Sequence, residues 1–294
     1  MAKICRRSWD TTPAARYSWI VRGCHLLVYS ILWVLRAFLY TKALKMEWSA
    51  PVGPQAAAAW TLSLASLSIV LFRHSIRGSE AAFWICFCVQ IFLNLHFFGR
   101  LLAKPAPKLA NCMMMLPVAG TLLLAIPAAN LGYREVAWCL LTAPLIPWMI
   151  LLALVFLRPS LDPNMDPLTS TRGVPSHELP TFVRFRPTLF ILVSPPALAL
   201  NSWLVLGQPF DGFARTMLFF AFVLFLLMLR WYNIFLPVLR VGFQLTWFAF
   251  VFPLESLGIA ALNYYHHLPS EGTKAFAIIF LSVATLVCIL VFGW

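Results

Sequence analysis

Charged residues are scarce in this sequence. Asp, Glu, Lys and Arg make up 11% of its 294 residues, and only ten of these are acidic. A soluble domain carries roughly 25% charged residues, whereas this chain is 61% hydrophobic and has a mean hydropathy of +0.83. Such a chain would expose large apolar areas to water. The composition therefore excludes a soluble enzyme, a nucleic-acid-binding domain and a disordered scaffold, and it predicts a polytopic membrane protein.

Signatures of nucleotide and metal chemistry are also missing. The sequence has no Gly-rich phosphate loop, no Walker motif and no HExxH motif, which argues against ATP-driven transport by this chain. Its seven cysteines lack the spacing of zinc ligands, so we interpret them as small apolar residues. We expect no enzymatic activity, no metal and no cofactor. The net charge of +12 is interpreted as contact with lipid head groups rather than with nucleic acid.

Long apolar runs dominate what remains. A helix needs about 20 apolar residues to cross a bilayer. The runs are continuous rather than alternating, which predicts an all-α transmembrane helix bundle and not a β-barrel. A basic N-terminal tail, 1–17, precedes a single transmembrane domain, 18–294, with a Pro-rich loop at 158–187. Nine spans are predicted, at 18–40, 55–72, 81–98, 111–131, 136–157, 188–206, 213–236, 241–264 and 275–294.

The distribution of Lys and Arg predicts the orientation. With the tail left aside, more than twice as many basic residues flank one side of the spans as the other. The more basic side faces the cytoplasm, so the loop 158–187 and the C-terminus are expected inside and the N-terminus outside. The tail carries Lys3, Arg6, Arg7 and Arg16, an unfavourable load for an outside end. One further span before residue 18 would remove this conflict.

Proline is concentrated in alternate spans. The fourth, sixth and eighth spans hold Pro117, Pro127, Pro195, Pro196 and Pro253. Proline removes a backbone hydrogen bond and kinks a helix, and kinked membrane helices tend to lie inside a protein or along a pore. We therefore predict kinked inner helices here; the alternative is that the prolines only shape packing in a bundle. The fifth span, with Pro144 and Pro147, breaks the alternation.

Side-chain type supports the same division. The second span is rich in small polar residues, Thr61, Ser63, Ser66 and Ser68, which suit close helix contact or a wet lining. The third span is rich in Phe and Trp instead, which fits a helix that faces lipid. The second, fourth, sixth and eighth spans are thus predicted to be inner helices, with outer helices between them.

The eighth span holds the candidate gate. Phe252 directly precedes Pro253, so its ring lies at the predicted kink, where it would close a narrow pore sterically. The alternative is an ordinary core phenylalanine. Glu255 lies about one turn beyond Phe252, and an ionised carboxylate there would repel an anion. Glu255 therefore faces away from the pore, is protonated through burial, or belongs to a protein that is not a simple anion channel.

Several short segments form a recognisable set. They are Trp247–Pro253, Arg186–Thr188, Ser194–Pro196, Asn201–Trp203, Phe210–Arg215 and Lys42–Glu47. Together they resemble the tellurite-resistance/dicarboxylate transporter family, which includes the slow-type anion channels of plant guard cells. The likeness is close over about 178–293 and looser over about 38–157.

The resemblance implies a homotrimer of ten-helix subunits. Each subunit would be a ring of five helical hairpins, with five inner helices around a central pore. A phenylalanine of the ninth helix blocks the pore in this family, and Phe252 is the matching position. Because nine spans are seen here, we expect the family's first helix, an inner one, to be missing. Glu255 is a second departure, since plant members carry a small hydroxyl residue there.

Two functions follow from the resemblance. The first is an anion channel in the bacterial inner (plasma) membrane, which passes small monovalent anions through a central pore gated by Phe252; tellurite resistance would be a phenotype. The second is a proton-coupled carrier of C4-dicarboxylates such as malate, or of sulfite, with Glu255 as the proton-coupling group. The expected partners are small inorganic or organic anions and the lipid bilayer.

Overall fold

The computed structural model describes residues 53–103, 114–161, 186–230 and 248–292, together with 35 and 39–42. The predicted N-terminal tail, nearly all of the first span and most of the loop 158–187 lie outside these residues. A 3-10 segment, Arg186–Val193, leads into one of the helices. The α-helices of the four longer ranges are α1 Gly53–Leu71, α2 Ile76–Ala103, α3 Met115–Asn130, α4 Arg134–Thr142, α5 Leu145–Leu161, α6 Ser194–Val205, α7 Gly212–Arg230, α8 Phe248–His267 and α9 Glu271–Phe292.

The described residues confirm an all-α membrane bundle. Every predicted span from the second to the ninth overlaps one of these helices. Two shorter apolar helices are Ala57–Leu71 and Met115–Asn130. Within the part of the chain that the structure describes, five stretches are long and apolar enough to cross a bilayer, namely Ile76–Gly99, Arg134–Phe156, Thr188–Val205, Gly212–Arg230 and Glu271–Val291.

Four helices are neighbours in one continuous series. α1 packs against α3, α3 against α6, and α6 against α8; we call these four helices the inner wall. Each is followed in the chain by a helix that packs on it: α2 on α1, α4 on α3, α7 on α6 and α9 on α8. We call α2, α4, α5, α7 and α9 the outer helices.

Burial separates the inner wall from the outer helices. In α3, 12 of 16 residues are buried, and 78% of Thr188–Val205 is buried. The corresponding share is 33% for an 18-residue window within Ile76–Gly99 and within Gly212–Arg230, and 22% for such a window within Glu271–Val291. The proline-containing fourth and sixth spans are therefore the enclosed ones, which agrees with their predicted inner position.

Two predicted spans differ from expectation in detail. The fifth span is divided into α4 and α5, with Pro144 in the break, because a residue without an N–H cannot continue the hydrogen-bond ladder. The aromatic third span has two faces. Trp84 and Phe92 are 39% and 58% exposed, whereas Phe83 and Phe97 are buried in helix contacts, so only part of its aromatic surface is available to lipid.

Two inner-wall helices end in the same way. Gly132 follows α3 with φ +90° and Gly207 follows α6 with φ +80°, a backbone conformation that glycine adopts without steric cost. The next N–H groups, of Tyr133 and Gln208, bond back to the carbonyls of Ala128 at 2.9 Å and Trp203 at 3.4 Å. These are Schellman caps, and each reverses the chain from an inner-wall helix towards an outer helix.

Candidate functional site

The candidate gate lies on the inner-wall helix α8. Pro253 is inside this helix and cannot supply the N–H that would bond the carbonyl of Ala249. Phe252 is half-buried and packs against the main hydrophobic core. Phe250 meets the ring of Phe190 with centroids 5.2 Å apart. Positions two apart on a helix point in nearly opposite directions, so Phe252 faces away from this aromatic contact.

Phe252 shares a face of α8 with two exposed residues. Glu255 and Ile259 follow it at spacings of three and seven residues, which places them along one helix stripe, and both are exposed. Glu255 lies twelve residues before the end of α8 at His267. That separation corresponds to about 18 Å along the helix axis. A carboxyl group therefore lies well inside α8, one turn from the candidate gate.

The carboxyl of Glu255 is directed towards an outer helix. The thiol of Cys288 on α9 donates a hydrogen bond to its Oε1 with a distance of 3.2 Å. The carboxyl thus lies on the side of α8 that meets α9, one turn from Phe252 rather than against its ring. The three alternatives given for Glu255, namely a carboxyl that faces away from the pore, one that is protonated through burial, or a protein that is not a simple anion channel, stay predictions.

The predicted kink prolines fall into two groups. Pro127 lies inside α3 and Pro253 inside α8, where a missing N–H interrupts the helical ladder. Pro117 lies in the first turn of α3, and Pro195 and Pro196 lie in the first turn of α6. The first N–H groups of a helix have no intrahelical acceptor, so proline is well tolerated there. These three residues therefore mark helix starts rather than interruptions.

Side chains of α6 bond to the backbones of both neighbouring inner-wall helices. Asn201 donates through Nδ2 to the carbonyl of Ser256 on α8 at 3.2 Å, and Ser202 donates to the carbonyl of Leu122 on α3 at 2.8 Å. Asn263 of α8 donates in turn to Oδ1 of Asn201 at 2.9 Å. Both α6 residues are buried, at 4% and 0% exposure. Sequence reasoning assigned them no role, although two adjacent polar residues in an apolar span were a usable signal.

The small polar residues of α1 serve two faces. Ser63 and Ser66 are exposed, and their hydroxyls donate to carbonyls of their own helix at 3.0 and 2.9 Å. Thr61 and Ser68 are buried, and Ser68 exchanges hydrogen bonds with Ser79 of α2 at 2.9 and 2.8 Å. Close helix contact is thus present at Ser68, whereas the wet lining stays a prediction.

The turn after α3 is anchored to α2 at the end of the bundle. The hydroxyl of Tyr133 donates a hydrogen bond to Glu80, and its ring stacks on Phe83 with centroids 6.0 Å apart. The hydrogen bond to the Glu80 carboxylate raises the pKa of Tyr133 above its usual value, because it stabilises the protonated phenol. Arg134 donates to the carbonyl of Leu206 at 3.3 Å, which joins this turn to the end of α6.

Comparisons with known proteins agree on one family. The family model described as voltage-dependent anion channel, SLAC1, matches residues 4–294. The guard cell S-type anion channel SLAC1 of Arabidopsis thaliana is 24% identical over 280 residues, which cover 92% of this chain and 47% of that protein. The S-type anion channel SLAH2 of the same plant is 23% identical over 279 residues, covering 94% and 50%.

A bacterial relative is matched over more of its length. The tellurite resistance protein TehA homolog of Haemophilus influenzae is 24% identical over 284 residues, which cover 92% of this chain and 79% of that protein. The chain spans about half the length of the two plant relatives. Nearly the whole of this chain nevertheless aligns with a region of each of those longer proteins.

Proposed function

Because the chain belongs to the voltage-dependent anion channel family, we propose that it passes small monovalent anions across a membrane along the inner wall, with Phe252 as the gate. The observation that carries this proposal is the position of Phe252. It directly precedes a helix-interior proline on an inner-wall helix, and it is turned away from the Phe190 contact that occupies the other side of α8. A ring at such a kink would narrow a path along this face of the helix.

The composition of the inner wall suits passage rather than tight binding. Its four helices contain neither Lys nor Arg over the described residues. An anion moving along them would meet helix dipoles and polar backbone groups instead of a fixed cation. Conduction requires an ion to enter favourably and still leave readily. A pathway without a strong cationic site therefore supports a channel for small anions.

The direct test is anion current through the purified full chain in planar bilayers with chloride and nitrate. We expect wild type to carry little current and Phe252→Ala to conduct, because the substitution removes the ring at the kink. Phe250→Ala is the matched control, since it removes the same ring from the opposite face of the same helix. Equal currents in both variants would indicate a leak from loosened packing, and silence in a folded Phe252→Ala protein would reject the gate.

A proton-coupled carrier of malate or sulfite is the second candidate, and the position of Glu255 inside the apolar helix α8 favours it. An ionisable residue within a membrane helix is costly and typically functional, and the group that bonds this carboxyl is a thiol rather than a basic side chain. In proteoliposomes, Glu255→Gln should abolish uptake driven by a pH gradient while leaving the protein folded. Glu135→Gln, at the exposed start of α4, is the control. Unchanged coupling in Glu255→Gln would remove this candidate.

The assembly and location that we propose follow the same family. We propose a homotrimer in the bacterial inner membrane, with residues 18–294 of each subunit forming one transmembrane domain. One hydrophobic core cluster that draws residues from all the inner-wall helices supports the single domain, and the Haemophilus influenzae relative supports a bacterial location. Native mass measurement in detergent should give three chains of 33.2 kDa; a stable monomer would contradict the trimer.

A further inference from the structure

A polar cluster lies where the outer helix α2 meets two inner-wall helices. Gln90 of α2 is 1% exposed, and its carboxamide reaches both neighbours. Its Oε1 accepts a hydrogen bond from Thr61 of α1 at 2.5 Å, and its Nε2 donates to the carbonyl of Pro117 on α3. One side chain on an outer helix therefore joins α1 to α3.

The same carbonyl is bound from within α3. Thr121 donates to the Pro117 carbonyl at 2.8 Å and accepts a hydrogen bond from Asn94 of α2 at 2.7 Å. Nε2 of Gln90 also lies 3.3 Å from the Thr121 hydroxyl. In each of these bonds between α2 and α3, the donor is on α2 and the acceptor is on α3. Two side chains of α2, Gln90 and Asn94, therefore hold the first turns of α3. The position of α3 relative to α1 is set here.

Gly120 makes room for this arrangement. A Cβ at this position would lie 2.9 Å from Oε1 and 3.0 Å from Nε2 of Gln90. Glycine inside a helix is less favourable than alanine, so its presence needs a compensating reason, and the carboxamide supplies one. The end of a glutamine is ordinarily free to move aside, but this one is held by Thr61 and Pro117. An alanine at 120 could be accommodated only by breaking those bonds.

We infer that Gln90 is a positioning residue that sets the separation of α1 and α3, with Gly120 as the residue that admits it. The consequence for permeation rests on the proposed function. If the inner wall borders an anion path, the spacing of α1 and α3 defines part of its width. Gln90 would then influence which anions pass, although it lies on an outer helix.

The contact between Gly120 and the carboxamide of Gln90 is tested by thermal unfolding of the purified full chain. Gly120→Ala should lower the melting temperature by displacing the carboxamide. The control Gly99→Ala, where nothing lies within 4 Å of an added Cβ, should leave it unchanged or raise it. In a Gln90→Ser background, Gly120→Ala should no longer destabilise, since the obstructing group is gone. In that background the single hydroxyl proton of Thr61 turns to the Ala58 carbonyl, 2.8 Å away, and the Pro117 carbonyl still accepts from Thr121, so the protein is expected to fold.

The positioning role is tested by permeation in the Phe252→Ala background. Gln90→Met preserves length but removes the hydrogen bonds to both α1 and α3, and we expect it to change the nitrate-to-chloride permeability ratio, because the spacing of α1 and α3 is no longer fixed by the carboxamide. Gln208→Met, in the turn after α6, is the control and should leave the ratio unchanged.

Each outcome supports or overturns the inference. Loss of the Gly120→Ala effect in the Gln90→Ser background, together with a changed permeability ratio, supports it. A Gly120→Ala effect that persists in that background overturns it, whether or not the protein conducts. An unchanged ratio in a conducting channel leaves Gln90 as packing only and also overturns it. Silence of Phe252→Ala would count against the proposed function, while the thermal measurements would still decide the contact.

Discussion

The inner-wall helix α3 and the outer helix α9 are both strongly apolar, yet they differ in most other respects. α3 contains Gly120 and Pro127, buries 12 of its 16 residues and accepts side-chain hydrogen bonds from α2 and α6. α9 has no proline, and only 22% of an 18-residue window within it is buried. Several of its large side chains, such as Ile289 at 64% exposure, face outwards. Hydrophobicity therefore does not distinguish an inner helix from an outer helix in this protein.

The difference follows from the bilayer as a solvent. Lipid tails are as apolar as leucine, so burying an apolar side chain between helices gains little by transfer. Close packing and interhelical hydrogen bonds remain as the forces that hold helices together. The inner wall accordingly combines small residues with side chains aimed at neighbouring backbones. The outer helices α2, α7 and α9 contain no proline and carry many large apolar side chains, while α2 also supplies polar side chains to α3.

The largest effect is expected from a cavity in the inner wall. Leu124→Ala removes a fully buried side chain from α3, and we expect a loss of about 1–3 kcal/mol in the free energy of unfolding, below the range for soluble cores because the transfer contribution is small in lipid. Leu286→Ala on α9, where the side chain is 57% exposed, should cost close to nothing. Reversible unfolding in mixed micelles measures both. Equal losses would show that the two helices do not differ as proposed.

Much of this division could be predicted from the sequence. Alternate proline-containing spans indicated the enclosed helices correctly for α3 and α6. For α3 the reason holds, because the hydrogen bond that Pro127 leaves unmade must be covered by protein or reached by water; the prolines of α6 lie in its first turn, where that reason does not apply. Pro253 was likewise placed inside a helix of the inner wall. The sequence could not separate Pro117, Pro195 and Pro196, which start helices, from the interior prolines, since helix boundaries depend on the 3-10 segment and turns around them.

The pairings within the candidate site were beyond sequence reasoning. Ser202 and Leu122 are 80 residues apart, and Asn201 and Ser256 are 55 apart, so their contact depends on how the helices pack. The direction in which the carboxyl of Glu255 points could not be predicted from the sequence either. Helix periodicity places it on the face of Phe252, but only the position of α9 decides that its carboxyl meets Cys288.

A smaller loss of stability is expected when a hydrogen bond between two inner-wall helices is removed. Ser202→Ala removes the bond from α6 to the Leu122 carbonyl, and interhelical hydrogen bonds in membrane proteins contribute about 0.6 kcal/mol on average and up to about 1.7 kcal/mol. Ser282→Ala, at an exposed position of α9, is the matched control and should be neutral. The same unfolding measurement compares them. If Ser282→Ala lowered the free energy of unfolding as much as Ser202→Ala, hydrogen bonds between inner-wall helices would stabilise the protein no more than an exposed hydroxyl does.

The smallest effect concerns the end of the bundle, where the turn between α3 and α4 contacts the outer helix α2. Tyr133→Phe removes the hydrogen bond to Glu80, and we expect a slightly lower melting temperature at neutral pH. Because folding raises the pKa of this phenol, the stabilisation is complete below its ordinary value near 10 and is lost as the pH rises through the higher folded value.

The difference between wild type and Tyr133→Phe should therefore shrink in alkaline solution. Melting curves recorded from about pH 8 to about pH 11 would show it. A gap between wild type and Tyr133→Phe that stays constant over this range would mean that the ring stacking on Phe83, and not the bond to the carboxylate, attaches this turn to α2. Packing would then hold the inner wall to the outer helices at this end of the bundle, as it does for the apolar side chains of α7 and α9.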